Sequence, residues 1–215
     1  MDLSRREFLS CAAAAMSLRL PIPSPVAHTV RHVGCILPVA GQCSLPESVS
    51  GFHAALDNEP RAVLGHLVVV PALLELPPDF ARGIVSWLRH GATVIVESGA
   101  AFTGQLSFRR HRRSLRDGLQ LAVHAPVRLW SEQRPSRRTP YVDYTWPHPA
   151  KIRDFSRVVP LGDQPGEIIA RADGLPVALK RRTGPGTLIY LGSPLGPALW
   201  AGDVAAKRWL LSILA

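Results

Sequence analysis

Two apolar runs and the segment between them predict an α/β fold, a three-layer sandwich with a mostly parallel sheet. Residues 64–70 (LGHLVVV) and 92–96 (ATVIV) are short, nearly continuous apolar runs rich in valine, as strands buried on both faces are. Between them Pro77-Pro78-Asp79 opens an amphipathic helix over residues 79–90. Its prolines stand where a helix leaves its first N–H groups unbonded anyway. Strand, helix, strand in that order is the pattern of a parallel crossover.

From the N-terminus, Ser4-Arg5-Arg6-Glu7-Phe8-Leu9 precedes an apolar stretch ending at Leu18, and together they resemble the twin-arginine export signal S-R-R-x-F-L. About eleven apolar or small residues are too few to cross a bilayer as a helix. With the Pro-rich piece up to Ala27, residues 1–27 read as a cleaved signal and residues 28–215 as one domain. The expected location is periplasmic or extracellular, with no transmembrane segment left after processing. Cleavage there removes three Arg, one Asp and one Glu, so of the formal charge of +9 the folded part keeps +8. Cys35 and Cys43 stay behind, readable either as a disulfide or as two buried thiols.

Residues 30–39 (VRHVGCILPV) form an expected first strand, stopped by Pro38 and Gly41, and residues 48–56 a helix. The strand over 64–70 ends at Pro71. In the helix over 79–90, Phe80, Ile84, Val85, Trp87 and Leu88 face inward and Gly91 caps the end. Residues 103–151 are less regular. They hold nine arginines between Arg109 and Arg138 against Asp117 and Glu132, a pattern of either a solvated face or an anion-binding one. Strands return at 167–171, 176–180 and 187–191, the last two joined by a turn at Thr183-Gly184-Pro185-Gly186. A closing helix over 201–214 turns Val204, Trp209, Leu210, Ile213 and Leu214 to the sheet, with Asp203 near its start as a cap.

The segment LVVVPALLELPPDFARGIVSWLRHGATVIVESG and the C-terminal PVALKRRTGPGTLIYLGSPLGPALW resemble the class I glutamine amidotransferase-like superfamily, in particular its ThuA-like and β-galactosidase trimerization-domain members. The resemblance implies a flavodoxin-like sandwich and a carbohydrate context. It also implies a nucleophilic Cys in an elbow after a central strand and a His near the C-terminus. Here the elbow position reads Glu97-Ser98-Gly99-Ala100 and the C-terminal position Leu191-Gly192-Ser193-Pro194, so both catalytic residues are missing. Thiol chemistry is therefore unsupported.

Three functions remain open. The first is an exported, non-catalytic module binding a small polar or carbohydrate ligand, or a protein partner. Its expected ligand-binding residues are Glu97 and Ser98, at a strand end where α/β sheets bind ligands. Asp143, Tyr144, Trp146 and His148, in the chemically dense YVDYTWPHP, complete the set. The second is a hydrolase using Ser98 or Ser193 with a base drawn from His53, His66, His124 or His148. The third is a basic surface module holding an anionic polymer. No metal-ligand spacing, phosphate loop or other cofactor signature occurs, and export together with the lack of interleaved aromatics argues against nucleic acid. A homo-oligomer is compatible with all three.

Overall fold

The computed structural model describes residues 35–36, 46–57, 66–98, 105–129, 141–154 and 157–214, all within one unit, Arg31–Ala215. The expected signal segment, Cys43 and most of the first expected strand lie outside the described residues. Among the described residues eight strands form one sheet: β1 (Cys35–Ile36), β2 (Leu67–Leu73), β3 (Thr93–Ser98), β4 (Tyr141–Tyr144), β5 (Ala150–Arg153), β6 (Glu167–Ala172), β7 (Leu175–Thr183) and β8 (Gly186–Leu191). Their order across the sheet is β1-β2-β3-β8-β7-β6-β4-β5. Among the described residues five helices accompany them: α1 (Pro46–Leu56), α2 (Pro78–Arg89), α3 (Gln105–Leu119), α4 (Gly196–Trp200) and α5 (Val204–Ser212).

The α/β class holds, but the sheet is mixed rather than mostly parallel. β1, β2, β3 and β8 run parallel, whereas β8, β7, β6, β4 and β5 are joined by antiparallel pairings. The reason lies in the turns. Asp173 and Gly174, both at positive φ, make a two-residue link between β6 and β7, the Asp-Gly hairpin whose twist suits antiparallel strands. Gly184, at φ 61, helps close the next hairpin. A short turn cannot return a chain in parallel.

Alternation along the central strands feeds two cores. Leu67, Val69, Ile95, Ile189 and Leu191 pack on one side with Phe52 of α1, Leu199 of α4 and Trp209 of α5. Val68, Val70, Val94, Val96 and Leu188 pack on the other with Ile84 and Leu88 of α2 and Leu115 of α3. Helices thus cover both faces of the parallel half, which is why its strands read as continuous apolar runs.

Several boundaries move for physical reasons. β2 runs through Pro71 instead of stopping there, because the register shifts between Val70 and Leu73 and Ala72 adopts φ 47. A bulge lets proline sit inside a strand. β3 extends two residues beyond Val96, so Glu97 and Ser98 belong to the strand and not to an elbow after it. The closing helix begins at Val204 instead of residue 201, and a helix not expected from the sequence, α4, precedes it. Gly202 (φ 76) ends α4 and Asp203 restarts the chain as α5, its carboxylate accepting from the Ala205 and Ala206 N–H groups. The restart turns Val204 to solvent, 69% exposed, against its expected place on the sheet. In α2 the buried stripe is Ala81, Ile84 and Leu88, with Phe80, Val85 and Trp87 half-buried at its margin.

Candidate functional site

Because side chains alternate along a strand, Glu97 and Ser98 point to opposite faces of the sheet and cannot line one pocket. Each is 0% exposed and each anchors a separate polar cluster.

Glu97 continues the face of Ile95. Its Oε1 accepts from the N–H groups of Leu195 (2.6 Å) and Gly196 (3.1 Å), and its Oε2 from that of Ala72 (3.2 Å). Leu195 has no capping side chain for the start of α4, so a carboxylate from the sheet does that work. The left-handed turn at Ala72 aims the third N–H, a conformation an alanine adopts only under constraint. Desolvation on burial pushes the Glu97 carboxyl up from 4.5 to about 7, against the opposing pull of the Gly196, Leu195 and Ala72 N–H groups and of Ser48. The Ser48 hydroxyl is buried beside this group without reaching full hydrogen-bond geometry to any described partner. Tyr144 is also buried here: desolvation raises its phenol far above the usual range, and the charges of Glu97 and Asp154 raise it further. Ser193 Oγ donates to Asp154 Oδ1 at 2.8 Å, both residues buried.

Ser98 continues the other face. Its Oγ lies 2.6 Å from His111 Nε2 and 2.6 Å from the Tyr190 hydroxyl. Burial pulls the His111 imidazole down to about 4, partly offset by a hydrogen bond with the Leu74 backbone. A neutral ring leaves Nε2 free to accept the serine proton while Tyr190 donates to the serine oxygen, so the three groups satisfy one another. Tyr190 itself is pushed well above the usual phenol range by burial, with its bond to Ser98 opposing.

The histidine paired with Ser98 is none of the four expected. His111 was legible in one respect: with Leu115 and Leu119 it recurs every four residues on α3, and all three are buried. That spacing marks a core-facing imidazole.

The remaining candidates disperse. Asp143 is on the solvent side of β4, where its carboxylate lies 3.4 Å from Lys151 Nζ, its antiparallel partner on β5. Tyr144, next along the strand, is inside, with its ring centroid 4.5 Å from that of Trp209. Trp146 is half-buried and held twice: its carbonyl accepts from Trp209 Nε1 at 2.7 Å, and Lys180 Nζ stands 4.2 Å over its ring. One stacking face is thus already covered. His148 is half-buried in the turn, with Nδ1 3.0 Å from the Pro149 carbonyl oxygen. What the sequence suggested as a covering loop is the β4–β5 hairpin at the sheet edge.

Three surface grooves of about 720, 810 and 420 Å³ lie elsewhere, and none is lined by any of these seven residues. Among the described residues no group of three His, Cys, Asp or Glu side chains is placed to hold a metal ion, and no helix is long and apolar enough to cross a membrane. Chemically, the carboxyl ends of the parallel strands hold a carboxyl group with its acceptors filled by backbone and a serine–histidine pair sealed in the core.

No family model and no curated protein matches the sequence. Among solved structures, an α-L-fucosidase isoenzyme from Paenibacillus thiaminolyticus aligns with 85% of the chain and 32% of its own length, at TM-score 0.54 and 12% identity. An exo-β-1,4-mannosidase from Opitutaceae bacterium strain TAV5 aligns with 84% of the chain and 36% of its own, at TM-score 0.52 and 12% identity. A polyextremophilic β-galactosidase from the Antarctic haloarchaeon Halorubrum lacusprofundi aligns with 87% and 32%, at 0.52 and 16%. The chain therefore spans about a third of the length of these glycosidases, and at such identities the likeness is one of fold.

Proposed function

We propose that residues 28–215 form an exported, non-catalytic module of the amidotransferase-like type, related to an accessory α/β domain of glycosidases and binding a small polar or carbohydrate ligand or a protein partner. The observation that carries this reading is Glu97: its buried carboxyl fills the strand-end crevice where an open sheet would take a ligand, and its hydrogen bonds are spent on the chain's own backbone. The neighbours named as enzymes acting on mannosides, fucosides and galactosides supply the carbohydrate context, and the fraction of each that the chain spans supports an accessory role. The half-buried aromatic edge at Trp146 and His148 remains the proposed contact for a small polar or sugar ligand.

One observation favours a second reading, the hydrolase. Ser98 and His111 stand at 2.6 Å, within the reach a nucleophile and its base require. Reaction with a fluorophosphonate separates the two. A non-catalytic module leaves Ser98 and Ser193 unmodified in intact-mass and peptide spectra, and stoichiometric labelling of either serine overturns the proposal.

Export is proposed on Ser4-Arg5-Arg6-Glu7-Phe8-Leu9. Exchanging Arg5 and Arg6 for Lys is expected to strand the precursor in the cytoplasm, since the route reads that pair. Fractionation showing the double-Lys form exported as before removes the assignment.

A further inference from the structure

The arginines of α3 fall on both flanks of one helix. His111, Leu115 and Leu119 face the core. Arg110 and Arg113 line the 810 Å³ groove between α3 and α2, together with Arg82 and Arg89. Arg109 and Arg112 line the 420 Å³ groove on the opposite flank, together with Arg157. Arg116 lies a turn beyond Arg112 at the surface, its guanidinium 3.1 Å from Asp117. Arg82 is likewise paired, with Asp79. Among the described residues no carboxylate pairs with Arg89, Arg109, Arg110, Arg112 or Arg113.

This concentration works against the fold. Arg109 with Arg112 and Arg113, Arg110 with Arg113, and Arg112 with Arg116 are like charges three or four residues apart, a spacing that destabilises a helix. Among the described residues the acidic ones at the two grooves are Glu75 and Asp117, both on the α2 side, and none of those lining the Arg109 groove carries a carboxylate. Guanidinium forks match planar and tetrahedral oxyanions in a bidentate manner, and a row of them on both flanks of a helix suits a ligand carrying repeated anions rather than one.

We propose that this face of α3, with α2, binds an anionic polysaccharide that lies across the helix and sets its carboxylate or sulfate groups into both arginine grooves. Among the described residues the two linings offer no exposed stacking platform, which favours such a ligand over a single-stranded nucleic acid. The one aromatic ring among the described lining residues, Phe108, is half-buried, with its centroid 6.3 Å from that of His111, and single-strand binding depends on exposed aromatics. The surface lies across the sheet from α1, α4 and α5, and the inference does not rest on the non-catalytic reading of the strand-end crevice.

The test is the full chain against heparin oligosaccharide and polygalacturonate, with neutral dextran and single-stranded DNA of matched charge as comparison arms. Two variants neutralise one groove each, Arg109→Gln with Arg112→Gln and Arg110→Gln with Arg113→Gln. A third, Lys207→Gln with Arg208→Gln on α5 across the sheet, makes the same change in net charge. Each groove variant is expected to lose roughly tenfold or more in affinity for at least one acidic polysaccharide, and the slope of log affinity against log salt falls by about one to two for each pair removed. Both groove variants should unfold at slightly higher denaturant than the parent in the absence of ligand, which separates lost binding from lost folding. Equal losses in the α5 variant, no binding of either acidic polysaccharide near physiological salt, or tighter binding of DNA overturns the proposal.

Discussion

Replacing Glu97 by alanine is expected to lower the unfolding free energy by about 3–5 kcal/mol, read as a fall in denaturant midpoint with little change in slope. The substitution removes the acceptor of three buried N–H groups, those of Ala72, Leu195 and Gly196. Each unsatisfied buried donor costs about 1–3 kcal/mol, and the relief of a desolvated carboxyl offsets only part of the sum. The same change uncaps α4 and leaves Ala72 in its left-handed turn with nothing to hold it there. A loss below about 1 kcal/mol would mean that water enters and satisfies the three donors, so the crevice would be open after all.

The pH dependence of stability follows from the same carboxyl and from His111 on the other face. Glu97 titrates near 7 when folded and near 4.5 when not. The folded state holds the proton more tightly, so its contribution is fully present below pH 4.5 and is lost as pH rises through 7. His111 titrates near 4 folded and 6.5 unfolded. Its contribution is present above 6.5 and is lost as pH falls through 4. Each displacement corresponds to about 3 kcal/mol, and between pH 4.5 and 6.5 the two slopes oppose one another. Glu97→Gln removes one arm and should leave stability rising with pH across that window, relative to the parent. Identical pH profiles for parent and variant would show that Glu97 stays ionised in the fold.

The parallel half of the sheet was legible because its strands are buried on both faces and announce themselves by composition alone. The antiparallel half was written less plainly. Tyr141 to Tyr144 alternates exposed and buried, so its signal is weak and its aromatics suggested a ligand loop. The runs at 167–171 and 176–180 do not by themselves fix the direction of their strands, which depends on the two-residue Asp173-Gly174 link between them. At the site the pleat decides. Adjacent residues on a strand end suggest a shared pocket only if the strand has already stopped, and β3 continues through Ser98. The partner of Ser98 was unreachable by spacing among the scattered histidines, since its place depends on how α3 docks, yet the four-residue recurrence of His111, Leu115 and Leu119 carried that docking.

Gly51→Ala is expected to destabilise the fold by about 3 kcal/mol or more, at or beyond the upper end of ordinary overpacking. A Cβ on Gly51 would stand 2.0 Å from the Gly196 carbonyl oxygen and 2.9 Å from the Trp200 nitrogen, and one on Gly196 would meet the Ser48 Cα at 2.3 Å. These are backbone atoms, which cannot swing aside as a side chain can, so α1 and α4 would have to separate. Separation displaces Ser48 from Glu97 and draws the Leu195 and Gly196 N–H groups off its carboxyl, which ties the helix seam to the polar cluster beneath it. Gly83→Ala in α2 provides the contrast, since its Cβ would meet only the Trp87 ring at 3.8 Å. Without a clash the gain in helix propensity should stabilise the protein by up to about 1 kcal/mol. Because Gly51 and Glu97 act on one seam, the double variant with Glu97→Ala should lose less than the sum of the two single losses, by roughly 1 kcal/mol or more. Strict additivity, or a Gly51→Ala midpoint equal to the parent's, would show that α1 does not press on α4 as closely as this seam requires.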